Sequence, residues 1–195
     1  LLTVADGGLA VLAHQATDGF GAGKWSLPGT FVRESELLVD AALRALREKG
    51  PVEGESPRQL RVFDALDRDE RGRVVSVAHA DLVPRERLGD VVLMPIAGEK
   101  AVLPGRQQRL PFDHDDIVAE AVRWARAAYR ERPDPNCLLG DEFTLYQLRQ
   151  LHEGVLGKAA TPEKDTFRRQ MVSRLTETGR IFRGTVGKPA MLSQR

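Results

Sequence analysis

Arg168, Arg169 and Arg174 recur on one side of a segment whose other side carries Phe167, Met171, Val172 and Leu175. That is the spacing of an amphipathic helix. A guanidinium fork can hold guanine O6 and N7 in a major groove or hold phosphate oxygens, and residue type alone admits both. The same charge run on a solvated helix face would do neither. Lys164, Ser173, Arg183 and Lys188 accompany that face and suit phosphate contact. Elsewhere the reactive side chains are dispersed. His14, His79, His114 and His152 fall at no metal-ligand spacing, so no metal site is expected. Cys137 has no neighbouring base and no second thiol, which argues against a nucleophile. His114 follows Asp113 directly before a helical run. An Asp there commonly caps the helix, and the His has two readings, a ligand contact or a plain helix start.

The elements that position these residues begin with a hairpin. Residues 1–5 and 9–14 are apolar runs separated by Asp6-Gly7-Gly8, a tight-turn signal. A Gly-rich loop over 18–23 leads into Lys24-Trp25-Ser26-Leu27-Pro28-Gly29. Helical spacing of Leu38, Ala41, Ala42 and Leu46 predicts a helix over 36–49 that Gly50-Pro51 stops. Strands are expected over 60–65 and 74–83, joined by a charged turn, and over 91–95. A helix over 115–129 shows Ile117, Ala121, Ala125 and Ala128 on one face. Pro133 and Pro135 cannot continue it, and residues 130–136 read as a polar linker. Beyond the linker, Thr144 and Gln147 are spaced for a capping box, with Phe143 able to staple onto Leu148. That helix should end at Gly157. Thr161-Pro162 opens the next, over about 165–175, with Pro at the first helical position and Gly179 ending it. Short strands over 180–182 and 190–192 flank Gly184, Gly187, Lys188 and Pro189. Short helices followed by a basic, Gly-containing hairpin give the layout of a winged helix-turn-helix.

Composition bounds these readings. The 195 residues are ample for a real core, and the apolar share of 42% argues against wholesale disorder. No apolar run approaches the roughly 20 residues of a spanning helix. The opening Leu1-Leu2-Thr3-Val4-Ala5 lacks a basic segment ahead of an apolar one and is not a signal peptide; it resembles the inside of a strand, so further residues are expected to precede it. A single cysteine fits a reducing, cytoplasmic setting. The formal charge of +1 conceals an asymmetry. Residues 136–195 hold 10 Lys and Arg against 6 Asp and Glu, whereas residues 1–135 hold 19 against 22. Positive charge gathers on the segment with the Arg-rich helix, as a footprint for DNA would.

The stretch Leu27-Pro28-Gly29-Thr30 through Glu36, then Ala41 through Lys49, resembles the Nudix box, G-x5-E-x7-R-E-U-x-E-E-x-G-U. In that register Thr30 stands at the first Gly, Glu36 at the first Glu, Arg44 at Arg, Ala45 at the next Glu and Glu48-Lys49 at the Glu pair. The terminal Gly is displaced by one. In Nudix hydrolases the helix glutamates hold Mg²⁺ against a pyrophosphate, and a hard cation needs several oxygen ligands. Ala45 supplies none and Lys49 adds positive charge. The resemblance implies that Glu36 and Arg44 brace the loop against the helix while the metal cluster is lost, leaving fold and pocket without efficient hydrolysis.

A Nudix-type domain followed by a winged helix resembles the Nudix-related transcriptional regulators, the NrtR family. The parts that carry the resemblance are the broken box, residues 68–78 (RDERGRVVSVA), Leu110-Pro111-Phe112-Asp113-His114, Glu142-Phe143-Thr144-Leu145, Phe167-Arg168-Arg169 and Gly187-Lys188-Pro189-Ala190. The resemblance implies an α+β chain, with a Nudix-like α/β/α sandwich and mixed sheet over 1–135 and a winged helix-turn-helix over 136–195. It further implies a homodimeric repressor of NAD metabolism genes on a pseudo-palindromic operator, working at the bacterial nucleoid. ADP-ribose or a related NAD-derived nucleotide would be the effector, with no cofactor required. Glu36, Arg44 and Glu48 are then candidates for the effector pocket; otherwise they are a surface charge pattern. Lys24, Trp25 and Phe20 flank the loop into the box, Trp25 as core or as stacking platform and Phe20 as an adenine contact. Arg33, Arg71 and Arg73 either serve a diphosphate through charge-assisted bonds or belong to an ordinary turn surface. His114 completes the set. Two rivals remain: a working ADP-ribose pyrophosphatase with an accessory helical domain, and a basic module that docks protein rather than DNA.

Overall fold

A computed structural model of the chain describes residues 1–17, 22–50, 52, 55–182 and 190–195. By contacts it divides into two units, Leu1–Thr3 with Ala10–Arg123 and Val4–Leu9 with Trp124–Arg195. Asp6 and Gly7 take φ of 49° and 75°. Consecutive positive φ is the turn whose twist matches right-handed strands, so Leu2–Ala5 (β1) folds back on Gly8–Leu12 (β2). Two short strands then pair antiparallel, His14–Gln15 (β3) with Trp25–Ser26 (β4). Helix α1, Leu38–Lys49, starts two residues later than its apolar spacing suggests. Glu36 is held in the preceding loop by a partner further along the chain, described below. Gly50 stops the helix, its N–H bonded to the Leu46 carbonyl.

Arg58–Phe63 (β5) and Ser76–Ala80 (β6) pair antiparallel. β5 lies two residues earlier than the run expected at 60–65, and β6 is shorter than the run expected at 74–83. Val74 and Val75 remain in the connecting loop, and the chain beyond β6 turns to a different neighbour. There Leu2 N–H donates to the Asp81 carbonyl at 2.8 Å and Val83 N–H to the Leu2 carbonyl at 3.1 Å, a parallel bridge onto β1. Leu93–Ala97 (β7) joins β2 antiparallel, and Lys100–Ala101 (β8) completes the order β1-β2-β7-β8. The sheet is therefore mixed. Leu12, Val52, Val83 and Leu88 form a buried cluster in this unit.

Helix α2, His114–Glu131, buries Val118, Ala121, Val122, Ala125 and Tyr129. Ala121 and Ala125 are buried as expected, whereas Ile117 and Ala128 are only half-buried and Val118, Val122 and Tyr129 complete the face. The segment read as a linker contains a buried acid. Asp134 is 2% exposed and accepts from the Tyr129 hydroxyl at 2.8 Å, from the Leu138 and Leu139 N–H groups at 3.0 and 2.9 Å, and from Arg195 at 3.0 Å. Phe143–Thr144 (β9) leads into α3, Leu145–Leu156, through the expected capping box. Thr144 Oγ1 accepts from Gln147 N–H at 3.2 Å and Gln147 Oε1 from Thr144 N–H at 2.8 Å.

Helix α4 spans Lys164–Val172 with Glu163 at its cap. Pro162 thus precedes the helix instead of occupying its first turn. Thr161 is buried and its hydroxyl donates to the Gly157 carbonyl, closing the previous helix. Phe167 and Met171 pack with Phe143 and Leu148, while Val172, expected on that face, is exposed. Gly179 does not end a helix. It lies inside strand β10, Thr176–Phe182, at φ 73°, where the register against Ala190–Gln194 (β11) shifts. Gly accommodates that positive φ at a bulge. The order β10-β11-β9 gives the small sheet of a winged helix. Among the described residues no helix is long and apolar enough to cross a membrane.

Candidate functional site

Two features in separate units carry chemistry: a cavity in the first and an exposed cationic helix in the second. The cavity, of about 770 Å³, lies between the loop entering α1, the face of α1, strand β6 and the start of α2. Its wall joins two segments 45 residues apart. Arg68 forms a fork on Asp113, Nε at 2.8 Å and Nη2 at 2.7 Å, with side chains 6% and 12% exposed. A bidentate pair this well buried fixes direction as well as charge. Asp113, expected to cap α2, is instead spent on Arg68. Next to it Arg71 grips Asp69 at 2.9 and 2.7 Å, and that contact holds the Asp69 carboxyl well down, at about 2. The Arg71 guanidinium also lies 5.2 Å from the centre of the Phe112 ring, within cation–π range. Phe112 has φ 57°, which costs a bulky residue energy and is held by its surroundings.

His114 opens α2 at the cavity wall. Its Nδ1 accepts from the Leu27 N–H at 3.3 Å and lies 3.3 Å from the Ser26 hydroxyl. Burial pushes its pKa down to about 4, with Arg68, His14 and Lys49 adding repulsion and Asp113 opposing them. The ring is therefore neutral at pH 7. His14 also lines the cavity, and burial lowers it too.

On α1, Arg44 is saturated. It donates from Nε and Nη2 to Glu36 at 2.8 Å each, from Nη2 to the Phe31 carbonyl at 2.9 Å and from Nη1 to Thr30 Oγ1 at 2.9 Å. Glu36 in turn accepts the Arg33 N–H at 3.1 Å, and its carboxyl is held at about 2, chiefly by Arg44. The pair ties the loop to the helix. Glu48 reaches Arg44 at 3.5 Å and is half exposed. Ala45 is buried, and the Lys49 ammonium donates to the Gly29 carbonyl. Among the described residues no three His, Cys, Asp or Glu side chains converge as a metal would require. The donor set on this helix face, one carboxylate beside a methyl group and an ammonium, does not fit a hard dication.

Of the residues singled out in the sequence, Glu48, Arg71 and His114 line the cavity. Glu36 and Arg44 stand behind its loop. Lys24 and Arg33 are exposed, and Trp25 is half-buried with its backbone paired to the Gln107 side chain at 2.8 and 2.9 Å. Arg73 holds the turn carbonyls of Asp64 and Ala65. Phe20 lies outside the described residues. The cavity also brings in Lys49, Arg68, His14 and Phe112. Sequence reasoning passed over these as site residues, although residues 68–78 and 110–114 had been marked as motifs.

In the second unit Lys164, Arg168, Arg169, Ser173 and Arg174 are all exposed on or just after α4. Arg169 donates to the Thr166 hydroxyl at 3.3 Å. Among the described residues none of these cations has a carboxylate within ion-pair distance. By contrast Arg149 pairs with Glu153, Arg180 with Glu142 and Arg195 with Asp134. Those three arginines are neutralised, whereas the cations on and just after the second helix of the helix-turn-helix are not, among the described residues. Arg183 and Lys188 fall outside the described residues.

A mixed-sheet Nudix domain joined to a winged-helix domain is the class that this architecture defines. Family models agree: the NUDIX domain matches residues 1–99 and the NrtR DNA-binding winged helix domain residues 136–193. The structure resembles Shewanella oneidensis NrtR in complex with a 27mer DNA, at 30% identity and a TM-score of 0.75, covering 99% of this chain and 89% of that one. The chain belongs to the NrtR family. The NUDIX domain of the Shewanella protein complexed with ADP ribose is also similar, at 30% identity and TM-score 0.53, over 63% of this chain and 82% of that one. The ADPR responsive transcriptional repressor NtrR of Acinetobacter baylyi is 28% identical over 175 residues, 88% of this chain and 69% of the relative. An ADP-ribose pyrophosphatase of Methanocaldococcus jannaschii is 31% identical over 104 residues, 52% of this chain and 59% of the relative.

Proposed function

We propose that the chain is a DNA-binding repressor whose hold on its operator is relieved by ADP-ribose or a related NAD-derived nucleotide. The observation that carries this reading is the row Lys164, Arg168, Arg169 and Arg174, exposed and without a carboxylate partner among the described residues, on and just after the second helix of a winged helix-turn-helix. Unneutralised cations on such a helix are suited to the duplex, Arg to base edges or phosphates and Lys164 and Ser173 to phosphates. Arg183 and Lys188 extend the set in our reading. Family membership implies genes of NAD metabolism as targets, a homodimer on a pseudo-palindromic operator, and a cytoplasmic, nucleoid-associated setting. We place the functional boundary at 135/136, where the winged-helix family match begins.

The effector occupies the cavity of the first unit. Glu48, Arg71 and His114 are its wall contacts. Glu36 and Arg44 hold the loop in place, and Phe20, Lys24, Trp25, Arg33 and Arg73 complete the effector-binding set in our reading. Relief is a population shift: nucleotide favours a dimer arrangement whose recognition helices no longer match successive half-sites. No cofactor is needed. Hydrolysis is not efficient, because Ala45 and Lys49 leave Glu48 without the further oxygens a metal requires.

A mobility-shift titration on the DNA upstream of the gene tests this. Binding in the absence of nucleotide, reversed by ADP-ribose, is the expected outcome. Binding unchanged at saturating ADP-ribose would overturn the switch. Analysis of the same samples with Mg²⁺ should show intact ADP-ribose; release of AMP and ribose phosphate that Glu48→Ala abolishes would make the chain a pyrophosphatase.

A further inference from the structure

Positions 45, 48 and 49 share one face of α1, being three and four residues apart, and all three line the cavity. Lys49 is the member whose charge is left over. Its ammonium donates to the Gly29 carbonyl, which fixes it against the loop, and two of its three N–H donors have no partner among the described residues. The other permanent cations of the wall are already matched by acids, Arg68 by Asp113 and Arg71 by Asp69. His14 and His114 are neutral at pH 7, held down by burial. Among the wall's acids, Asp69 is taken by Arg71, and Asp81 accepts the Ser56 and Leu82 N–H groups at 3.1 and 2.9 Å. An anionic ligand entering this cavity therefore meets, at Lys49, an ammonium that has no carboxylate within ion-pair distance among the described residues. A dication at this face of α1 would meet repulsion from that ammonium and, on the helix itself, only the carboxylate of Glu48.

We propose that Lys49 takes the part of a divalent cation: its ammonium neutralises the diphosphate of the bound nucleotide directly, and the cavity takes the metal-free diphosphate. This rests on the reading above that a nucleotide of the ADP-ribose type is the ligand. A compact, strongly hydrated ammonium is suited to a point contact of this kind, and its anchorage on Gly29 reduces the freedom lost on binding.

Calorimetric titration of the full chain with ADP-ribose, once in EDTA and once with millimolar Mg²⁺, tests the proposal without any variant. Affinities that agree within about twofold are expected. Lys49→Met keeps much of the length and removes the charge; it should weaken binding in EDTA about 10- to 100-fold, the usual worth of a hydrogen bond to a charged group. Lys49→Glu should bind more weakly still in EDTA and regain affinity when Mg²⁺ is added. Melting curves of both variants identify any that fail to fold, and the wild-type comparison stands regardless. A wild-type affinity that collapses in EDTA, or a folded Lys49→Met that binds as tightly as wild type, overturns the proposal alone. Absence of ADP-ribose binding by the wild type in both buffers overturns it together with the effector reading.

Discussion

His114 shows how much a single side chain can be redirected by its surroundings. In the sequence it is one of four scattered histidines; in the structure it accepts a backbone N–H and helps close a cavity. Its pKa is lowered to about 4, mainly by burial, so the folded state favours the neutral ring. In the unfolded chain an ordinary histidine protonates near 6.5. The neutral ring's contribution is thus complete above about pH 6.5 and is lost as the pH falls toward 4, by about 3 kcal/mol at most. His14 and His152 are shifted in the same direction, again first by burial. Urea unfolding at steps between pH 7.5 and 4 should show wild-type stability declining, and His114→Gln should decline less steeply. An unchanged slope in His114→Gln would show that this ring is not the source. The residues that sequence reasoning passed over share a physical cause. Arg68 and Asp113 are 45 positions apart, and only the fold makes them partners. Lys49 was legible as a departure from a motif, but its contact with Gly29 was not.

Elements governed by local chemistry were the legible ones. The Asp6-Gly7 turn and the Thr144–Gln147 capping box each close over a few residues, and both appear as expected. Boundaries set by distant partners were not legible. Glu36 leaves α1 to hold Arg44, the Arg68 fork takes Asp113 from its cap, and Gly179 sits in a strand because β11 lies alongside it. Helix α4 was read correctly as an amphipathic segment, though Val172 belongs to its open side. In the function proposed here, Arg168 and Arg169 of α4 are DNA contacts. If each holds a phosphate, Arg168→Ala and Arg169→Ala should weaken operator binding, and each should lower the slope of log affinity against log salt by about one. Affinity and slope both unchanged would turn α4 toward a protein partner. A loss confined to particular bases, with the slope kept, would instead assign them to base readout.

At the scale of the whole chain, net charge is the poorest guide and its distribution the better one. The balance of +1 conceals an acidic first part and a basic second part, and the structure sharpens the contrast further. Three of the basic segment's arginines are tied to acids, while those of α4 are left open among the described residues. In the cavity the pattern repeats at smaller scale, with Arg68 and Arg71 matched and Lys49 unmatched. The central claim is that these two charged features are coupled: nucleotide at one lowers DNA affinity at the other. Linkage then makes the coupling reciprocal, so operator DNA must weaken nucleotide binding by the same factor. The direct measurement is the affinity of ADP-ribose for the full chain, free and with saturating operator. The account predicts weaker binding in the presence of operator, by the factor with which ADP-ribose weakens operator binding. Equal affinities with and without operator would contradict it.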